Sequence, residues 1–96
     1  MQKKLLEWSH RAESELLRYA SFYTVEVSKP VADRFIESVR KATNLVANNP
    51  LLYRTGKKAG TREYVMQKFP FTIVYRVKSS RVEIIRVLHQ ASRYFN

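Results

Sequence analysis

The side chains able to do chemistry concentrate late in the sequence, where Arg54, Lys57, Lys58, Arg62, Arg76, Arg86 and Arg93 accompany His89 and Tyr94. Those residue types suit metal-free cleavage of RNA: a base takes the proton from a 2′-OH, a cation steadies the crowded phosphate, and an acid protonates the leaving oxygen. Histidine can fill either proton-transfer role near neutral pH, and the planar arginine fork matches a phosphate. Each residue also has a plain structural reading. His89, directly after Leu88 at a strand end, suits a hydrogen-bonding role, and Tyr94 and Phe95 suit folding back onto the core. Arg62 can pair with its neighbours or with Glu83, a solvated ion pair worth about 0–1 kcal/mol. Lys57 and Lys58 read as solvated loop charges.

Other chemistries find no support. The chain has no phosphate loop, GxGxxG, GxSxG or HExxH motif and no close pair of acids, so no cofactor is expected. It has no Cys, and its two His, His10 and His89, lie far apart, so neither a disulfide framework nor a metal site is expected. No stretch approaches the roughly 20 apolar residues that span a bilayer, and MQKKLLEWSH lacks the apolar run of a signal peptide. A cytoplasmic protein with no membrane partner is the expectation. The 96 residues carry a net charge of +10 with 45% apolar residues, which suits one compact domain over residues 1–96. Residues 1–48 hold 8 basic and 6 acidic side chains, whereas 49–96 hold 10 and 2. Such a basic half points to a polyanionic partner, either nucleic acid or an acidic protein.

The elements that must position these residues follow from periodicity. Lys3 to Trp8 suits a first strand, and Ser9 suits the cap of the helix after it. From Arg11 to about Val27, Ala12, Leu16, Tyr19, Ala20, Tyr23 and Val27 recur at helical spacing, with Glu13 and Glu15 near the start, where the helix dipole favours acids. Ser28-Lys29-Pro30 ends that helix and opens a second, which runs to about Asn48 with Ala32, Phe35, Ile36, Val39, Thr43 and Val46 on its apolar face. Tyr19, Phe22, Tyr23 and Phe35 read as core or hairpin contacts. Leu51 to Gly60 reads as a loop. Thr61–Lys68, Phe71–Lys78 and Arg81–His89 read as three strands of an antiparallel meander. The result is an α+β fold of order β-α-α-β-β-β, with a helical hairpin on one face of a small, mostly antiparallel sheet. Alternation places Phe71, Ile73, Tyr75 and Val77 under the helices and groups Arg86 with Val82, Ile84 and Leu88. In the usual register, Arg62, Arg76 and Arg86 then converge on the helix-free face.

An ordered set of segments carries a resemblance over about residues 4–94. It comprises Trp8-Ser9 with Ala12 and Leu16; Pro30, Ala32, Phe35 and Ile36; Pro50; Gly60-Thr61-Arg62-Glu63; Pro70-Phe71 leading to Val74-Tyr75-Arg76-Val77; and Ile85-Arg86-Val87-Leu88-His89. Together they resemble the RelE/ParE family of toxins from type II toxin-antitoxin systems, and the WS start, GTRE, VYRV and VLH look closer to ParE-like members. The resemblance implies the same β-α-α-β-β-β fold and a growth-inhibiting protein neutralised by a cognate acidic antitoxin. For a ParE-like member it implies inhibition of DNA gyrase. For a RelE-like member it implies ribosome-dependent mRNA cleavage, with Arg62, Arg86, and His89 or Tyr94 as the catalytic candidates. A relative that only binds antitoxin is the third implied reading.

Overall fold

The computed structural model describes residues 4–91; Arg93, Tyr94 and Phe95 lie outside the described residues. The chain forms β1 (Leu5–Trp8), α1 (His10–Glu26), α2 (Lys29–Asn48), β2 (Arg54–Thr55), β3 (Arg62–Val65), β4 (Phe71–Val77) and β5 (Arg81–His89). These strands make one mixed sheet in the order β1-β5-β4-β3-β2, with β1 parallel to β5 and the other pairs antiparallel. Two elements differ from the sequence expectation. The loop after Pro50 contains the two-residue strand β2, and β3 stops at Val65 rather than Lys68.

Both helix starts follow from local chemistry. Ser9 accepts the Ala12 N–H at 3.0 Å, and Ser28 accepts the Val31 N–H at 3.3 Å, each satisfying a first-turn donor that has no partner within its helix. Pro30 sits in the first turn of α2, where its missing N–H costs nothing. The hairpin then lays Ala12, Ala20, Phe35, Val39, Ala42 and Val46 against Phe71, Ile73, Tyr75, Val82, Ile84 and Val87. Aromatic edges fill this layer: Tyr19 and Phe35 approach the Phe71 ring at 4.6 and 4.9 Å, and Tyr23 meets Phe69 at 5.5 Å. Phe22, Val27 and Ile36, expected within the hairpin, are instead exposed.

A bulge corrects the parity of β5. Val74 pairs with Arg86 and Tyr75 with Ile84, so Ile85 is an extra residue. Val82 and Ile84 before it, and Val87 and His89 after it, therefore share the helix-covered face, because residues directly opposite across a pair point the same way. Arg86 joins Val74 on the helix-free face, not the Val82 set.

Candidate functional site

On the helix-free face, Ser9, Arg11, Lys58, Thr61, Val74, Arg76, Ile85 and Arg86 line a groove of about 270 Å³. Four different elements supply its cations: Arg11 comes from α1, Lys58 from the β2–β3 loop, Arg76 from β4 and Arg86 from β5. The loop holds Lys58 in place through its backbone. Gly56 N–H donates to the Thr61 carbonyl at 2.8 Å, and the Thr61 hydroxyl donates to the Lys58 carbonyl at 2.6 Å. Gly60 turns at φ +78°, which an L side chain rarely adopts.

Glu15 organises the α1 wall of the groove. β1 pairs with β5 only as far as Ile84, leaving the rest of that β5 edge to α1. There Ser9 N–H donates to the Ile84 carbonyl and its hydroxyl to the Ile85 carbonyl, both at 2.9 Å. Further along α1, Glu15 Oε1 accepts the Val87 N–H at 2.9 Å, while Oε2 takes Arg86 Nε at 2.8 Å and Nη2 at 2.7 Å. The carboxylate thus replaces the missing strand partner and fixes the Arg86 fork. Its signal in the sequence is positional. Glu15 lies three residues after Ala12 and four before Tyr19, on the stripe that faces the sheet.

The other candidates lie elsewhere. Arg62 pairs with Tyr75, which puts it on the helix-covered side, and its Nη1 donates to the Tyr53 carbonyl at 2.8 Å and the Leu51 carbonyl at 3.4 Å. It therefore does not converge with Arg76 and Arg86, nor does it pair with Glu83, which binds Lys78 at 3.4 Å. Beneath Arg62, the Tyr75 hydroxyl donates to the Pro50 carbonyl at 2.7 Å. Burial pushes that hydroxyl up to about 12, against the pull of the Arg62 guanidinium. His89 stands opposite Phe71, with ring centroids 5.2 Å apart, and its Nδ1 accepts the Ala91 N–H at 3.1 Å. It borders a largely apolar cleft of about 330 Å³ with Arg18, Tyr19, Phe22, Tyr23 and Phe71, and also a pocket of about 280 Å³ that it shares with Arg54 and Lys57. Arg54 is engaged by the buried Glu63 at 2.8 Å. Arg93 and Tyr94 belong to the part not described.

Comparison with known proteins agrees with this architecture. A family model described as the ParE toxin of the type II toxin-antitoxin system parDE matches residues 6–94. The protein named "Putative toxin Y4kP" of Sinorhizobium fredii (strain NBRC 101917 / NGR234) is 32% identical over 90 residues, covering 93% of this chain and 91% of that protein. A chain of the chromosomal ParDE TA system from P. aeruginosa superposes with a TM-score of 0.82 at 20% identity, covering 91% of this chain and 96% of that one. The Mycobacterium tuberculosis toxin-antitoxin complex RelBE2 gives 0.62 at 16% identity, covering 92% and 99%. The E. coli DinJ-YafQ toxin-antitoxin complex gives 0.61 at 14%, covering 97% and 99%. The two helices on a five-stranded mixed sheet are the ParE/RelE toxin fold, and the chain belongs to the ParE toxin family of type II toxin-antitoxin systems.

Proposed function

We propose that this toxin arrests growth by binding DNA gyrase rather than by cutting RNA, and that a cognate acidic antitoxin neutralises it. The observation that carries the reading is the dispersal, among the described residues, of the nuclease candidates Arg62, Arg86 and His89. Arg62 is spent on two loop carbonyls, Arg86 is locked to Glu15 on the other face of the sheet, and the His89 ring packs on Phe71 on the helix-covered side. General acid-base cleavage needs a base, an acid and a phosphate-steadying cation within hydrogen-bond reach of one phosphodiester. An inhibitory binder needs only a surface.

The antitoxin reading is supported by family membership and by surface chemistry. Leu17, Phe22 and Val25 are exposed apolar side chains on α1, and Phe22 leads into the aromatic cleft rimmed by Arg18 and His89. A helix or strand combining apolar and acidic residues is complementary to such a surface. The encounter should be salt-sensitive and the complex slow to dissociate.

The test is induction in bacterial cells with parallel readouts of plasmid supercoiling, DNA breaks and mRNA integrity, alongside a supercoiling assay with purified gyrase. The expected result is lost supercoiling with intact mRNA, and His89→Ala should stay toxic. Cleaved mRNA together with loss of toxicity in Arg62→Ala or His89→Ala would replace this reading with the ribosome-dependent nuclease. Continued growth with neither change would leave a relative that only binds antitoxin.

A further inference from the structure

The groove on the helix-free face carries more positive charge than its neighbours neutralise. Arg11, Lys58, Arg76 and Arg86 share it with one carboxylate, that of Glu15, which sits 2.7 Å from Arg86 Nη2 and 4.0 Å from Arg11 Nε. Glu83 faces Arg76 across the strands but forms its ion pair with Lys78. Among the described residues, the Arg76 and Lys58 side chains have no ion-pair or hydrogen-bond partner. Four cations converge from four elements onto a floor of Val74 and Ile85, with the paired Arg86 held at the α1 wall.

We propose that this groove binds the phosphodiester backbone of a nucleic acid without cutting it. The inference stands apart from the gyrase reading, since it is tested with neither gyrase nor antitoxin present. Two features favour a phosphodiester over an acidic protein segment. First, none of the exposed large apolar side chains lines the groove, whereas protein interfaces draw their affinity from buried apolar anchors. Nucleic-acid interfaces are more polar and far more positive. Second, three of the four cations are arginines, whose forks grip phosphate oxygens in two places. No Asn or Gln lines the groove, so backbone contacts without base readout are expected.

Cleavage is not expected there, because no histidine or tyrosine lines the groove to take a proton from a 2′-OH. The hydroxyls of Ser9 and Thr61 are already donating, to the Ile85 and Lys58 carbonyls. Arg86 acts here as a positioning residue for the positive wall, oriented by Glu15.

The experiment measures fluorescence anisotropy of the full chain with a short labelled DNA duplex and with single-stranded RNA of equal length, each across a salt series. Binding to either, with the RNA recovered intact, supports the proposal, and the preference identifies which nucleic acid supplies the backbone. Arg76→Ala and Lys58→Ala should each flatten the slope of log affinity against log salt by about 1. Both side chains are exposed, so the variants should fold, and circular dichroism checks this. Lys29→Ala, an equal charge loss at the start of α2, should leave the slope unchanged. Four results would overturn the proposal: binding to neither nucleic acid, equal slope changes in all three variants, RNA cleavage, or Arg76-dependent binding of poly-glutamate alone.

Discussion

The two faces of the sheet are built on different principles. The helix-covered face is a continuous apolar layer in which Phe35, Phe71, Ile73 and Tyr75 are at most 1% exposed and aromatic edges interlock. The helix-free face has a thin layer of Thr72 and Val74, and around it two buried carboxylates each sit under an arginine, Glu15 with Arg86 and Glu63 with Arg54. Stability is drawn mainly from the first face through area removed from water. The second face spends its burial on holding charges in fixed places. A side chain on the first face is therefore replaceable by another of like volume, whereas on the second the identity of the charge matters.

Mutations can break that contrast. Phe71→Ala should cost most, about 3–5 kcal/mol in chemical denaturation, since it empties the centre of the aromatic layer. Glu15→Ala should cost about 3 kcal/mol by leaving Arg86 and the Val87 N–H without their acceptor. Glu15→Gln should cost less, because an amide oxygen can still accept from Val87. If Glu15→Ala proved neutral, the ordered charges of the helix-free face would have no structural role and the contrast would fail.

Two smaller effects sharpen it. Tyr75→Phe should cost about 1–2 kcal/mol by orphaning the buried Pro50 carbonyl. Burial favours the protonated hydroxyl in the folded state, so its contribution is complete below pH 10.0 and is lost as pH rises towards about 12. Tyr23 and Tyr53 are also pushed up by burial, so the readout is the difference between wild type and Tyr75→Phe across that window. At the small end, Lys29→Ala removes an exposed pair with Asp33 and should change stability by less than about 0.5 kcal/mol in the same titration.

Local signals in the sequence sufficed for the helices, the Ser9 cap, the Pro30 start and the two long strands β4 and β5, because each is decided within a few residues. Long-range facts were not legible. The bulge at Ile85 could not be read because Val82, Ile84, Ile85, Val87 and Leu88 are apolar on both parities, so a one-residue shift leaves the pattern looking unchanged. The side on which Arg62 lies depends on its pairing with Tyr75, which no local pattern encodes. β2 is too short to leave a signal. Glu15 was readable in principle, since an acid within an apolar helical stripe needs a buried partner, but that partner lies 71 residues away.

The parallel pairing of β1 with β5 has a consequence for synthesis. Leu5 is made early, yet its strand partner Arg81 comes after both helices and three other strands. At about 5–20 residues per second the helical hairpin is available for seconds before β5 exists. The groove on the helix-free face needs Arg11 from one side of that delay and Arg86 from the other. A ribosome making this toxin therefore carries a nascent chain with no assembled groove until translation of β5 is finished.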